Sequence, residues 1–86
     1  MFIYTVFDKK SVSFGPLFTA SNDEVAKRII YVDVLKDSML ATCPADFAIY
    51  CVGEYNSNNG DVSGISPVRL VCEVLSLINV DKNSES

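Results

Sequence analysis

The side chains that could support catalysis are few in this chain, and they are not spaced for it. There is no histidine, so no serine or cysteine has the usual partner base for nucleophilic attack. The glycines are isolated, and neither a Walker phosphate loop nor a GxGxxG sequence is present. Asp46 and Glu54 lie in or near one predicted strand, but they are eight residues apart. At ~3.4 Å per residue, an extended strand separates them by about 27 Å. We therefore expect a protein that is not an enzyme and that has no cofactor.

The cysteines are the residues that would bind a structural metal. They are Cys43, Cys51 and Cys72, with no CxxC pair and no histidine beside them, so a zinc site is not expected. An odd number of cysteines without a secretory signal favours a reducing cytosol and free thiols. We expect Cys51 and Cys72 to be small buried apolar side chains, and Cys43, next to Pro44, to be the most exposed.

Binding of single-stranded nucleic acid requires a different pattern, namely aromatic side chains on an exposed sheet face with basic residues at its edges. The residues that fit this pattern are Lys9, Lys10, Lys27, Arg28 and Tyr55. Each also has a simpler interpretation, as part of a solvated turn, of a solvated helix face or of the packing of a sheet. Seven basic against eleven acidic residues give a net charge of −4. That charge opposes nucleic-acid binding, which rests mainly on Lys and Arg.

The length and hydrophobicity of the chain predict a small domain with apolar surface to spare. We expect one α+β domain over residues 1–80 and a flexible polar tail over residues 81–86. A chain of this size buries only about 60–65% of its unfolded surface, whereas 49% of its residues are hydrophobic. Apolar surface should therefore remain for a partner, most simply a second copy in a homodimer. No apolar run approaches the ~20 residues of a membrane helix, so we expect no membrane association.

An extended apolar segment that begins at Pro44 organises the predicted fold. Residues on both of its sides are apolar, which indicates a central strand covered on both faces. The polar turn that follows contains Asn59-Gly60, a pair that supplies the positive φ angles of hairpin turns. Residues 62–65 are the predicted returning strand.

Two strands and a helix are predicted before this segment. Residues 2–7 form a first strand that is rich in aromatic and β-branched residues. Residues 12–19 return as an edge strand or a strand bulged at Pro16, because proline donates no backbone hydrogen bond. That edge is a candidate for pairing with another chain. Ser21-Asn-Asp-Glu24 has the form of a capping box and begins a helix over residues 22–36.

Asp33 is the unusual residue of this helix. Helical periodicity places it inside the apolar arc, which comprises Val25, Ala26, Ile29, Ile30 and Val32. The simple interpretation, which we favour, is a carboxylate near the helix end that reaches water or a local amide. The alternative is a buried carboxylate paired with Arg28 or Arg69.

The last apolar segment, residues 67–78, is open to two interpretations. Ser66-Pro67 is typical of an N-cap followed by proline at the first helical position, and we favour a helix. Valine and leucine dominate the segment, which is also typical of a strand. The predicted fold class is α+β: a small antiparallel sheet of about four strands packed against one or two helices, in the order β-β-α-β-β and then α or β.

Several features in order along the chain form a recognisable set. They are a tyrosine in the first strand, a proline-aromatic segment, an arginine on the helix, a Pro-x-Asp-aromatic strand ending in Gly-Glu-aromatic, and a turn closed by glycine. They fall on Tyr4, Pro16 with Phe18, Arg28, Pro44-Ala-Asp-Phe47, Gly53-Glu-Tyr55 and Gly60. Over residues 2–78 the chain resembles the small non-structural protein of gokushovirus-type microviruses, which is often labelled DNA-binding or replication-associated. It departs from that pattern by an extra helical residue after Arg28.

The resemblance implies a non-virion accessory protein of single-stranded phage genome replication, or of the switch to packaged single strands, in the host bacterial cytoplasm. It implies phage or host replication proteins, or single-stranded DNA, as partners. Two functions of different kinds follow: a protein-association module, and a weak, salt-sensitive single-stranded DNA-binding protein. A basic face with tyrosines between the cations would indicate DNA, and a continuous apolar patch would indicate assembly.

Overall fold

The computed structural model describes residues 1–36 and 39–78, which form an antiparallel sheet with helices against it. The strands are β1 (Phe2–Asp8), β2 (Ser13–Phe14), β3 (Phe18–Ala20), β4 (Phe47–Tyr55) and β5 (Val62–Glu73). The helices are α1 (Asp23–Leu35), the short α2 (Met39–Thr42) and residues 74–78, with a 3-10 turn at Pro44–Asp46. The predicted α+β class is confirmed, and the predicted tail over residues 81–86 lies outside the described residues.

Strand β4 is central, as its apolar pattern predicts. The strand order is β2-β1-β4-β5, and β3 pairs with the other end of β1. Pairing of β1 with β4 runs from Phe2 opposite Glu54 to Asp8 opposite Phe47. The sheet therefore has two outer edges, one formed by β2 and β3 and the other by β5.

The predicted edge strand over residues 12–19 is divided in two at Pro16. β2 pairs with one half of β1 and β3 with the other, because proline has no N–H with which the ladder could continue. At the break, the Gly15 N–H donates to the Val6 carbonyl oxygen at 2.8 Å. The hydroxyl of Thr5, which is 1% exposed, donates to the Gly15 carbonyl oxygen at 2.9 Å. A buried side chain thus completes the hydrogen bonding that the broken strand leaves open.

Helix α1 has a different cap from the predicted one. The side chain of Asn22 accepts a hydrogen bond from the Val25 N–H at 2.9 Å, so Asn22 rather than Ser21 is the N-cap and the predicted capping box is wrong. The buried residues of the helix are Ala26, Ile30 and Val34. Ile29 and Val32, which the predicted apolar arc included, are 39% and 44% exposed.

The favoured prediction of a helix over residues 67–78 is wrong for most of that segment. β5 continues to Glu73, and only residues 74–78 are helical. Cross-strand pairing, with Leu70 opposite Tyr50, overrides the local helix signal at Ser66-Pro67. Between its two paired stretches, β5 carries residues 65–68 opposite Val52 alone, and this bulge accommodates the proline.

The turn from β4 to β5 contains one of the two predicted positive φ angles. Gly60 has a φ of 82°, whereas Asn59 is not among the described residues with positive φ. A second position in this conformation is Val12, with a φ of 55° in the turn between β1 and β2. A β-branched residue is rarely found there, because its side chain crowds the backbone.

All described helices pack against the same face of the sheet. The core consists of Tyr4, Ile49 and Cys51 from the strands, Ala20, the buried face of α1, and Val74. Leu40 of α2 and Leu77 of the last helical segment pack against this same core. The expectation that β4 is covered on both faces is therefore wrong. The described helices all cover one face of the sheet, and none of them covers the other face.

Candidate interaction surface

The register of the sheet identifies the side chains on the helix-free side. Directly opposed residues share a face, and the face alternates along each strand. One row across the strands consists of Phe14, Phe7, Ala48 and Glu73, and the next consists of Thr5, Tyr50 and Leu70. We call this side, defined by Phe7, Phe14, Tyr50 and Leu70, the open face.

Three aromatic rings form the centre of the open face. The ring centroids of Phe7 and Phe14 lie 4.7 Å apart, and Tyr50 lies 6.0 Å from Phe7 and 5.8 Å from Phe14. Tyr50 meets both phenylalanines edge-on, a favourable arrangement for aromatic pairs. Phe14 is 52% exposed, and Leu70 beside Tyr50 is 49% exposed. The result is an apolar surface whose rings contact one another and also meet solvent.

The turn between β1 and β2 sets the register that brings Phe14 opposite Phe7. The carboxylate of Asp8 accepts hydrogen bonds from the Lys10 and Ser11 N–H groups at 2.9 and 3.3 Å. A short polar side chain that bonds to the backbone two and three residues later is a common way to stabilise a tight turn. A local polar contact therefore determines the position of an exposed aromatic ring.

An ion pair lies at the margin of the open face. Lys9 is bonded to Glu73 across the sheet, and its Nζ also donates to the Ala45 carbonyl oxygen at 3.2 Å. Lys10, next in the turn, is exposed. Lys9 and Glu73 compensate each other, so the centre of the open face is apolar, and Lys10 adds one exposed positive charge at this end.

The five residues predicted to bind nucleic acid do not share one surface. Lys9 and Lys10 lie at the β1–β2 end of the open face, whereas Lys27 and Arg28 lie on α1, which packs on the other face of the sheet. Lys27 forms an ion pair with Glu24 at 3.3 Å. Tyr55 ends the nine-residue strand β4, about 27 Å from its first residue at ~3.4 Å per residue.

Arg69 and Asp33, which the sequence offered as one possible pair, are not paired. The guanidinium of Arg69 instead bonds to Asp23, with Nη1–Oδ2 at 2.8 Å and Nη2–Oδ1 at 3.0 Å, and Tyr4 donates its hydroxyl to Asp23 Oδ1 at 2.7 Å. The hydrogen bonds from Arg69 are the main reason that the pKa of Asp23 falls to about 2. Burial is the main cause that raises the pKa of Tyr4. This cluster joins β1, α1 and β5 and is part of the scaffold.

The cysteines are free thiols in the structure. Cys51 is buried as predicted, whereas Cys43 and Cys72 are both partly exposed, so the prediction of a buried Cys72 is only partly right. Burial raises the pKa of the Cys72 thiol, which disfavours the reactive thiolate.

Within residues 1–36 and 39–78, no three acidic, cysteine or histidine side chains are placed to bind a metal ion. No helix of the described chain is long and apolar enough to cross a membrane.

Sequence reasoning missed the residues that form the open face. The predicted strands contained Phe7, Phe14 and Tyr50, and the favoured helix contained Leu70, without a surface role for any of them. The signal was present in part: Phe7 and Phe14 flank a polar turn, and Phe14 lies between Ser13 and Gly15. Which side of the sheet the helices would cover was not readable from that pattern.

Comparison with protein families gives one result. The model of the family described as "Phage ORF5 protein" matches residues 1–77, which is most of the chain. No curated protein and no solved structure matches it significantly. The phage part of the resemblance noted in the sequence is thereby confirmed.

Proposed function

This chain belongs to the phage ORF5 protein family, and we propose that it is a non-enzymatic accessory protein of single-stranded phage genome replication, or of the switch to packaged single strands. It works by protein association in the cytoplasm of the host bacterium. The first form of this association is a homodimer, and phage or host replication proteins are its further partners. The observation that supports the proposal is the open face, an aromatic surface that no described helix covers.

Physical chemistry favours an apolar partner for this face. Phe14 and Leu70 are about half exposed in neighbouring rows, and covering such surface contributes about 25 cal/mol per Å² of apolar area. Lys9 and Glu73 are already paired at the margin, so a partner can cover the face without isolating a charge. A second copy offers the same apolar surface, and a two-fold contact places matching patches against each other.

Single-stranded DNA binding is the second candidate, and one observation favours it. Lys9 and Lys10 lie in the turn one residue beyond the row that contains Phe7 and Phe14, with Asp8 between, so cations and aromatic rings lie close together as in single-strand binding surfaces. Three observations weigh against it. Lys9 is bonded to Glu73, the rings contact one another rather than presenting separate faces for stacking, and the net charge is −4.

Sedimentation velocity over a range of protein concentrations tests the proposed homodimer. We expect the wild type to dimerise, and Phe14→Ser to raise the dimer dissociation constant about tenfold or more, because it removes the most exposed ring. The matched control is Leu35→Ser, which removes a side chain that is 67% exposed on α1, on the opposite side of the sheet. A wild type that stays monomeric throughout would overturn the proposal, as would equal weakening by both variants.

Fluorescence anisotropy of a labelled single-stranded oligonucleotide separates the two candidates. The association role predicts no saturable binding even at low salt. Saturable binding that weakens steeply with salt, and that Lys10→Gln reduces, would instead favour the DNA-binding function.

A further inference from the structure

A cleft of about 500 Å³ lies on the helical side of the sheet, away from the open face. It forms where β2 and β3 separate at Pro16, so that the broken edge strand does not close against α1. Val6 and Phe47 line it from the sheet, Leu17 from the break, and Ile29 from α1. We call this cleft the groove. Leu17 is 65% exposed and Ile29 is 39% exposed, so the groove is open to solvent.

The charges in the groove are of one sign. Its charged lining residues are Asp8 and Asp33, with no lysine or arginine among the described residues that line it. Asp8 already accepts two backbone hydrogen bonds in the β1–β2 turn. Asp33 is partly buried, and its carboxylate forms no ion pair within the described part of the chain. The groove therefore combines apolar side chains with a carboxylate that forms no ion pair among the described residues.

We propose that the groove binds a short segment of a partner protein in which a lysine or arginine adjoins a bulky apolar side chain. The apolar side chain contacts Leu17 and Ile29, and the cation pairs with Asp33. Both charges in the groove are carboxylates, so an acidic segment or a nucleic acid is repelled. The groove has the volume of typical ligand sites, about 300–1,000 Å³, but those sites enclose most of a small molecule. An open cleft instead suits a short protein segment whose neighbouring residues bind to the surface outside the groove.

This inference rests on the proposed association role, but it uses a different surface, so the two can fail separately. Methyl and amide NMR titrations test it with two capped synthetic peptides, acetyl-Ala-Leu-Arg-Phe-Ala-amide and the same peptide with Glu in place of Arg. We expect the Arg peptide to shift the signals of Ile29, Ile30 and Leu40, with the Glu peptide binding about tenfold more weakly or not at all. Titrating Phe14→Ser as well keeps groove binding separate from dimerisation.

The variant Asp33→Asn should lower the affinity for the Arg peptide about fivefold while leaving the fold intact, as expected for the loss of one partly exposed charge pair. The matched control is Glu54→Gln, which removes an exposed carboxylate of β4 and should leave the affinity unchanged. If Asp33→Asn does not fold, Ile29→Gln provides a second variant in the same groove. The proposal is overturned if the Arg peptide leaves the groove signals unshifted at millimolar concentration, if both peptides bind equally, or if the shifts fall on the open face.

Discussion

Arg69, on the outer strand β5, binds both carboxylate oxygens of Asp23, the first residue of α1, at 2.8 and 3.0 Å. A planar guanidinium that bonds to both oxygens fixes orientation as well as distance. Tyr4, which is fully buried in β1, donates to the same carboxylate at 2.7 Å. One carboxylate thus joins the helix to an inner and an outer strand.

Replacing Asp23 with Asn should destabilise the protein in a pH-dependent way. The loss at neutral pH should be about 1 kcal/mol, because both side chains are partly exposed and solvent screens the pair. The pKa of Asp23 is lowered from 3.8 to about 2 in the folded state. Its stabilisation is therefore present above the unfolded-state pKa and is lost as the pH falls from about 4 to about 2.

Urea unfolding at neutral pH, near pH 4 and near pH 2 measures this effect. The wild type should lose more stability across the acid window than Asp23→Asn does. Glu54→Gln, the control at an exposed carboxylate, should keep the acid dependence of the wild type. Equal acid dependence in wild type and Asp23→Asn would mean that this carboxylate is not the group that titrates.

The variant Tyr4→Phe should show how the same cluster contributes to stability at alkaline pH. Burial raises the pKa of Tyr4 above its ordinary value of 10.0, so the folded protein favours the neutral phenol. The resulting stabilisation is complete below about pH 10 and is lost as the pH rises above it. We expect Tyr4→Phe to cost about 1 kcal/mol at neutral pH. Thermal melts should also show that the variant loses less stability above pH 10 than the wild type does. An equal loss of stability in the two proteins would refute this assignment.

Gly53 and Gly64 face each other across β4 and β5 and make a matched test of backbone proximity. A Cβ atom at Gly53 would lie 2.7 Å from the Ser63 carbonyl oxygen, whereas one at Gly64 would meet nothing within 4 Å. Gly53→Ala should therefore cost about 2–3 kcal/mol, since backbone must move. Gly64→Ala should change the free energy of unfolding by less than about 0.5 kcal/mol. Similar chemical-denaturation midpoints for the two variants would contradict the register.

Because β4 lies in the core, truncating one of its buried apolar residues should cost more stability than truncating an exposed apolar residue. Ile49 is 0% exposed in the core, and Val32 on α1 is 44% exposed. Ile49→Ala should lower the free energy of unfolding by about 2–5 kcal/mol, and Val32→Ala by about 0.5 kcal/mol or less. The comparison uses urea unfolding under one set of conditions. A small effect at Ile49 would show that β4 is not the centre of the core.

The features that were predictable from sequence are those that local chemistry determines. Aromatic and β-branched residues identified β1, an unbroken apolar run identified β4, proline identified the interrupted edge strand, and helical periodicity identified α1. The detail of the helix cap was missed because Ser21 and Asn22 are adjacent residues that cap equally well. A local signal of this kind locates an element to within a residue or two, and packing decides the rest.

The features that were not predictable depend on contacts between distant segments. The start of β5 was predicted as a strand, but a helix was favoured from residue 67 because Ser66-Pro67 is a strong local signal. Only pairing with β4 makes a strand more stable there. The open face depends on the register that places Phe14 against Phe7 and Leu70 against Tyr50. The pairing of Arg69 with Asp23 likewise joins residues that are 46 positions apart. Sequence periodicity indicates which residues share a face, but not which faces meet.

The most direct test of self-association through the open face is an isotope-filtered NOE experiment on a mixture of labelled and unlabelled protein. It detects only contacts between copies. We expect contacts from the Phe14 and Tyr50 rings to the partner copy, with none from the exposed side chain of Leu35 on α1. Contacts confined to α1, or no contacts between copies at concentrations where NMR is feasible, would contradict the account.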